Sequence, residues 1–289
     1  MISSAPAGHE PELPHLRLVP VDALTPHEEH DPQRSAPLVK RIADSGIWLN
    51  PPIVAPFDLQ RPDAGYIILD GANRYHCVRQ LGYPHILVQV VDYDGPNVRL
   101  ETWDHVLSNI EIEALIPRLH EIEGVMAQDA SQSDAETALD LGAALAYIRV
   151  LPDRITLLIS DDDSVTARTQ RLRQLVDIYK NIAKIDRFNG DNPQAVLQMH
   201  PDAAAVVVFP LYTPDEIMQA AHQGVFLPPG ISRHIINGRA MRLLYPLDEL
   251  RRTDKALDDK NQDLLNWIQQ RVAQKAVRLY AEATYIFDE

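Results

Sequence analysis

The sequence predicts an α+β fold with α/β-like character, in which short strands alternate with helices. Three observations carry this prediction. β-Type runs rich in Ile, Val and Leu occur at 53–55, 66–69 and 86–91. Helical spacing of apolar residues separates them at 32–46 and at 73–81, and a glycine closes each helix. This alternation within about 80 residues indicates one compact domain.

The second half of the chain predicts a mixed α/β, helix-rich domain. β-Type runs lie at 155–159 and 204–209, and Ser164 is placed to cap a helix reaching about Ile185. The sequence Thr213-Pro214-Asp215-Glu216 is a capping box. The apolar residues of 260–283 recur at helical spacing, which predicts a long amphipathic C-terminal helix.

These patterns give three segments. Residues 1–13 are expected to be a flexible tail, 14–108 a first domain and 109–289 a second domain. The acidic stretch 111–140 has eight Asp and Glu against one Arg, and it predicts a solvated connection or an exposed helix pair.

Composition restricts the classes of function. The net charge of −14 repels nucleic-acid phosphate, so DNA is a disfavoured partner. The sequence has no run of about 18 apolar residues, so no membrane span is predicted. The first residues do not resemble a secretory signal. Cys77 is the only cysteine, which suits a reducing compartment. A cytoplasmic protein is therefore expected.

A candidate phosphate site lies where a β-type run meets a helix, at Asp70-Gly71-Ala72-Asn73-Arg74-Tyr75. The first N–H groups of a helix lack partners within the helix and can bind an anion. Gly71 lets the backbone approach closely, and Arg74 adds a planar cation. Asp70 can accept a substrate hydroxyl or amine or help to hold a metal ion. The alternative is an ordinary Asp-Gly turn before a helix.

Residues 18–22, 50–54 and 68–75 resemble the ParB/sulfiredoxin superfamily, and the similarity covers roughly 14–105. There a G-x-x-R turn holds nucleotide phosphates, which implies nucleotide binding by Gly71, Ala72, Asn73, Arg74 and Tyr75. Sulfiredoxins place a catalytic cysteine directly after the glycine, where this chain has alanine. Chromosome-partition proteins continue with a Gln-Arg box, which the acidic continuation after 108 lacks.

The turn is most similar to that of the free serine kinases, which include enzymes that make O-phosphoserine as a siderophore precursor. They carry Asp-Gly-x-x-Arg-Tyr/Phe at this point. The resemblance implies transfer of a phosphoryl group from ATP or ADP, with Mg²⁺, to the hydroxyl of free L-serine, and it places Asp70 at the catalytic centre. Several members have histidine where Ala72 and Asn73 stand, so no role of those histidines is carried over.

The segment His27-Glu28-Glu29-His30-Asp31 matches the Glu-rich segment of these kinases. The resemblance makes Glu28 the catalytic base, with Glu29 as the second candidate. Phosphoryl transfer to a hydroxyl needs a carboxylate within hydrogen-bond reach of the attacking oxygen. A solvated acidic turn and a metal site built on the two histidines remain open. No metal ligand is assigned.

A second match lies far along the chain, where Pro228-Pro229-Gly230 predicts a turn into a β-type run. Ser232, Arg233 and His234 resemble a Thr/Ser-Arg-His element of the amino-acid pocket in serine kinases. Trp103 is a candidate aromatic wall of the serine or nucleotide pocket. The alternatives are a plain loop and hairpin for 228–239 and a core position for the tryptophan.

The alternative function is a ParB-like, nucleotide-responsive DNA-binding regulator. Residues 164–187 carry six Lys and Arg against two Asp, together with an apolar helix face. A recognition helix would normally be more basic and would follow a partner helix across a short turn.

The partner that the serine-kinase resemblance implies is free serine or a similar small hydroxyl compound. The number of subunits stays open, a homodimer included.

Overall fold

The computed structural model describes residues 13–30, 32–61, 64–190 and 193–280. In this part of the chain two sheets form the framework. A five-stranded sheet has the order β1-β6-β4-β5-β2, and a six-stranded sheet has the order β12-β8-β13-β10-β11-β9. Two short ladders, β14-β7 and β15-β3, connect distant parts of the sequence.

The five-stranded sheet is mixed. β2 runs parallel to β5 and β4 runs parallel to β6, whereas β1 with β6 and β4 with β5 are antiparallel. Helices α1 and α2 accompany it. The bounds are β1 Leu16–Pro20, β2 Leu24–Pro26, α1 Pro32–Ser45, β3 Ile47–Trp48, β4 Ile53–Pro56, β5 Tyr66–Asp70, α2 Ala72–Gln80 and β6 His85–Val90.

The strand pairs of the six-stranded sheet are all antiparallel. Helices that lie between its strands in the sequence pack their hydrophobic side chains against the sheet. The bounds are β7 Val98–Thr102, β8 Asp104–Ser108, α3 Ile112–Leu119, β9 Val125–Ala130, α4 Gln132–Asp140, β10 Ala146–Val150, β11 Arg154–Ser160, α5 Val165–Tyr179, β12 Lys184–Phe188, α6 Pro193–Met199, β13 Ala203–Val208 and α7 Pro214–His222.

One hydrophobic core joins the two sheets. It contains Ile67 and Leu69 of β5 together with Leu107 of β8 and Leu172 of α5, all of them buried. The last elements, β14 Ser232–Ile236, β15 Tyr245–Pro246, α8 Asp248–Arg251 and α9 Leu257–Ala273, return to the first sheet. The Asn261 side chain pairs with both the N–H and the C=O of Leu18 on β1, and this fixes α9 against that sheet.

Several local predictions are confirmed. The strands at 53–55, 66–69, 86–91, 155–159 and 204–209 and the first two helices are present within one or two residues. Ser164 caps α5, and Thr213 and Glu216 form the capping box of α7. Trp48 is buried, and its indole N–H donates to the carbonyl of Leu87.

Three predictions are wrong in whole or in part. The helix from Ser164 ends at Tyr179, and 184–188 forms strand β12 because β8 supplies its hydrogen-bond partners. The acidic stretch contains two helices, α3 and α4, as one of its two predicted forms requires, but strand β9 between them pairs with β11, so the stretch is part of the second sheet and not a solvated connection. The C-terminal helix ends at Ala273, and Lys275 has a positive φ of 56°. Its predicted end beyond 280 lies outside the described residues.

The predicted boundary after 108 falls at the end of β8. Because β8 pairs with β12 and β13, we propose that the chain divides between β6 and β7 instead. The predicted tail at 1–13 lies outside the described residues, except for Leu13. None of the helices in the described part of the chain combines the length and apolar character needed to cross a bilayer.

Candidate active site

Glu28 lies two residues after the end of β2, beside the Pro-Gly turn that precedes β14. It forms an isolated parallel bridge with Leu227, and its Oε2 accepts the backbone N–H of Gly230 at 3.1 Å. Two further backbone hydrogen bonds join the segments, from Leu227 to His27 and from Glu29 to Leu227. The predicted base is thus fixed against a loop 200 residues later in the sequence.

Gly230 is itself fixed from below by His105 of β8. The carbonyl of Gly230 can only accept, so His105 Nε2 donates to it, at 3.3 Å. Burial lowers the pKa of His105 to about 4, so the ring is neutral and Nδ1 accepts the hydroxyl of Tyr179 at 2.8 Å. A chain of hydrogen bonds therefore runs from α5 through a buried histidine to the residue that binds Glu28.

Ser232 and His234 lie on the face of β14 that points to His27. His27 is buried, and its two ring nitrogens lie 2.5 Å from the Ile68 carbonyl and 2.6 Å from Ser232 Oγ. His234 packs edge-on to His27 with ring centroids 5.1 Å apart, and its Nε2 shares a hydrogen bond with the Tyr93 hydroxyl at 2.8 Å. Burial, aided by His27, holds the pKa of His234 well below its usual value.

Arg233 and Trp103 lie on the other face. Successive residues of a strand point to opposite sides, so Arg233 turns away from Ser232 and His234. Its guanidinium lies 4.2 Å from the Trp103 ring centroid and 3.1 Å from the Glu101 carboxylate. The four residues predicted for the substrate pocket thus form two groups.

The Asp70 turn has the predicted strand-turn-helix form. Gly71 has a φ of +101°, and a Cβ there would lie 2.8 Å from Arg74 Nη2 and 3.0 Å from Pro52 Cα, so the position needs glycine. The Asp70 carboxylate accepts Arg74 Nη2 at 2.8 Å and also pairs with Arg239. Among the described residues no side chain caps the first turn of α2.

The remaining residues of this turn have separate environments. Ala72 and Tyr75 are buried and line the cleft described below, whereas Asn73 is half-buried. The Tyr75 hydroxyl donates to the Leu24 carbonyl at 3.1 Å. Tyr75 therefore helps to hold α2 to the sheet and offers its ring, more than its hydroxyl, to the cleft.

A cleft of about 1280 Å³ lies between α2 on one side and the α5–β12 connection on the other. Glu28 lies in its lining, and His105 contributes to its floor. The lining has five Lys and Arg against three carboxylates, although the whole chain carries −14. The charged lining residues are Arg34, Arg79, Lys180, Lys184, Arg187, Glu28, Glu29 and Asp186. Such a local cationic surface suits a polyphosphate.

His27 and His30, which the sequence allowed as metal ligands, have different surroundings. Both ring nitrogens of His27 are engaged, and His30 stacks on His76 with ring centroids 3.6 Å apart. Across the described residues, no three potential ligands gather around one point. Asp31 lies outside the described residues.

Four site residues were missed as functional positions: Gly230, His105, Tyr93 and Arg239. The glycine stood out as a turn signal, but its contact with Glu28 joins positions 202 residues apart. Arg239 lies 169 residues from Asp70. No local pattern announces such contacts.

No family model matches the chain. The fold is a mixed α/β fold shared with solved serine kinase structures. One of these is SbnI with a C-terminal truncation from Staphylococcus aureus, with a TM-score of 0.71 and 20% identity, covering 89% of this chain and 97% of that one. Another is a single-residue variant of a free serine kinase in complex with AMP, with a TM-score of 0.69 and 17% identity, covering 85% and 98%.

Two sequence comparisons point the same way. The chain is 24% identical over 286 residues to the ATP-dependent L-serine kinase SbnI of Staphylococcus aureus, which covers 95% of this chain and 98% of that protein. It is 38% identical over 87 residues to the ATP-dependent L-serine kinase of Staphylothermus marinus. That second match spans 30% of this chain and only 33% of the relative.

Proposed function

We propose that this protein is an ATP-dependent kinase that phosphorylates free L-serine to O-phospho-L-serine. The observation that carries the proposal is the position of Glu28, whose carboxylate is fixed by a backbone N–H in a cleft with an excess of cations. The relatives that are named ATP-dependent L-serine kinases support both the donor and the acceptor. Solved relatives in complex with AMP and ADP support an adenine nucleotide.

In this proposal the cleft holds ATP, and the serine hydroxyl lies at Glu28. Glu28 accepts the hydroxyl proton while the serine oxygen attacks the γ-phosphorus, and the bond to the β-phosphate oxygen breaks to release ADP. The N–H of Gly230 holds the carboxylate in one orientation, so little reorganisation is needed at the moment of transfer. Positioning and charge stabilisation supply most of the catalysis in phosphoryl transfer.

The phosphates are assigned to the N-terminal end of α2 and to its cations. Gly71 admits close approach, the first turn of α2 has no side-chain cap among the described residues, and Ala72 opens into the cleft. Arg74 and Arg239 meet at Asp70, where an incoming phosphate can compete with the carboxylate for them. Asn73 and Tyr75 are assigned to the same phosphate site.

The residues present fit a magnesium ion. Mg²⁺ is usually held by one or two carboxylates together with substrate phosphates and water, and Asp70 supplies a carboxylate at the phosphate end of the site. Asp70 would hold the ion, which would neutralise charge on the transferring phosphoryl group.

The serine pocket is assigned to Ser232 and His234, which share a face with His27, next to Glu28 in the chain. Arg233 and Trp103 form a cation-aromatic pair on the other face and are assigned to the edge of the site. We further propose that β1, β2, α1 and β4–β6 with α2 form a ParB/sulfiredoxin-like nucleotide-binding unit. The DNA-regulator alternative loses its continuous basic helix, because 184–188 is a strand.

One assay tests the proposal. Purified protein is incubated with L-serine, Mg²⁺ and either ATP or ADP, and O-phosphoserine is measured by ³¹P NMR, with threonine, homoserine and glycerol as competing acceptors. We expect O-phosphoserine from ATP and serine. The absence of product with both nucleotides, together with a salt-sensitive shift of a DNA duplex, would favour the regulator instead.

A further inference from the structure

We infer that His27 is a positioning residue that makes Ser232 a hydrogen-bond acceptor for the ammonium group of the substrate. This inference rests on the proposed function, since it concerns the serine pocket of the same site. It starts from two contacts of one buried ring, with the Ile68 carbonyl and with Ser232 Oγ.

The contact with Ile68 fixes the tautomer of His27. A backbone carbonyl only accepts hydrogen bonds, so the proton must be on Nδ1. When the ring is neutral this is its single N–H, and Nε2 is then an acceptor. The atom 2.6 Å from it is the Ser232 hydroxyl oxygen, which must donate its only proton to the ring.

Ser232 consequently has lone pairs, and no proton, to offer to a ligand. Free serine presents three kinds of group: a carboxylate that only accepts, a hydroxyl whose proton must go to the base, and an ammonium that only donates. The ammonium is the one group that matches an oxygen restricted to accepting. The same geometry repels a carboxylate at this position.

The location agrees with this assignment. His27 precedes Glu28 in the chain, and Ser232 lies two residues after Gly230, which holds the Glu28 carboxylate. An amino acid whose hydroxyl lies at Glu28 therefore has Ser232 close to its α-carbon substituents. His27 also connects the pocket to β5, the strand that ends in Asp70.

The test is a double-mutant cycle with two acceptors, L-serine and 3-hydroxypropanoate, which lacks the amino group. The variants are Ser232→Ala, His27→Asn and their combination. Asparagine places an amide N–H close to the position of Nδ1, which keeps the bond to Ile68 but removes the group that orients Ser232. His222→Asn is the control, because that ring packs on Phe57 beside the first residue of β5, at the other end from Asp70.

Each single variant should raise KM for serine about tenfold, as expected for one lost hydrogen bond to a charged group, while KM for ATP stays within twofold. KM for 3-hydroxypropanoate should change less than twofold. The double variant should match the singles, because both remove one interaction. His222→Asn should behave as the unchanged protein.

Three results would overturn the inference: multiplicative losses in the double variant, equal losses for both acceptors, or phosphorylation of Ser232 itself after incubation with ATP. If the unchanged protein makes no O-phosphoserine, the proposed function fails separately. Calorimetric titration with L-serine and 3-hydroxypropanoate then measures the same ratio without turnover, and equal affinities for the two compounds would reject the ammonium site.

Discussion

Glu28 and Asp70, the two predicted catalytic carboxylates, are held in opposite ways. Glu28 accepts a backbone N–H whose residue is fixed by a buried, neutral histidine. Asp70 is 39% exposed and is held by the side chains of Arg74 and Arg239, which are 22% and 33% exposed. Backbone partners cannot leave, whereas arginine side chains can exchange one anion for another. In the proposed function, a base held by the backbone is therefore combined with a phosphate site whose arginines can exchange one anion for another.

The largest expected effect concerns Glu28, the carboxylate that is held by a backbone N–H. Glu28→Gln keeps the shape and an acceptor oxygen for the N–H of Gly230, but an amide cannot take the hydroxyl proton. We expect kcat to fall by about 10²–10⁴-fold with little change in KM for ATP. Steady-state kinetics and nucleotide titration measure both quantities. A normal kcat would transfer the role to another group, of which Glu29 is the first candidate.

The second prediction concerns His105, the buried histidine that holds Gly230. His105 is neutral in the folded protein because burial lowers its pKa to about 4, whereas an unfolded histidine titrates near 6.5. Between those pH values the unfolded state binds more protons, so the free energy of unfolding decreases as the pH falls from about 6.5 to 4. This one group accounts for at most about 3 kcal/mol.

The measurement compares His105→Phe with the unchanged protein by urea unfolding at several pH values from 7 to 4. The variant lacks the titrating group, so its free energy of unfolding should depend less steeply on pH in that window. The slopes are compared, because the substitution also alters packing around Tyr179 and shifts the absolute stability. Identical slopes would show that His105 does not remain neutral in the folded state.

The sequence contains the local half of this site but not the half that comes from long-range contacts. The Asp70–Tyr75 turn, the Ser164 cap and the capping box at Thr213 are set by neighbouring residues, and all three have the predicted form. β12 was predicted as the end of a helix, because its partner β8 lies 76 residues earlier at the first register pair. Spacing along the chain carries no information about such a partner.

Strand alternation explains why the predicted serine pocket is divided. Ser232 and His234 have one residue between them, so a strand places them on one face and Arg233 on the other. That period was visible in the sequence once 232–236 is taken as a strand. The resemblance grouped the three residues as a motif, whereas the backbone separates them.

The third prediction tests whether the backbone at Gly230 must be undisturbed. Gly230 has a φ of +86°, and a Cβ would collide with the guanidinium of Arg187. Gly238, later in the same segment, has a φ of +68° and nothing within 4 Å of a Cβ. Both alanine variants are expected to lose about 1 kcal/mol of stability from the positive φ.

Only Gly230→Ala should also reduce kcat, by about tenfold, because the new methyl group and the Arg187 guanidinium in the cleft must move apart beside the N–H that holds Glu28. Thermal unfolding and kcat are measured on both variants. Equal kcat values would mean that Glu28 keeps its orientation without this contact.

The smallest expected effect concerns the arginines around Asp70. It compares Arg239 with Arg233, which lie in the same segment. Arg239 pairs with Asp70 at the proposed phosphate site, whereas Arg233 pairs with Glu101 and stacks on Trp103. Partly exposed ion pairs contribute about 0.2–1 kcal/mol, so a large effect on folding is not expected from either. If Arg239 exchanges Asp70 for a phosphate, Arg239→Ala should raise KM for ATP about three- to fivefold, and Arg233→Ala less than twofold. Added salt should reduce the first difference, because it screens exposed charges. A larger loss from Arg233→Ala would place the phosphates on the Trp103 face and reverse the assignment of the two surfaces.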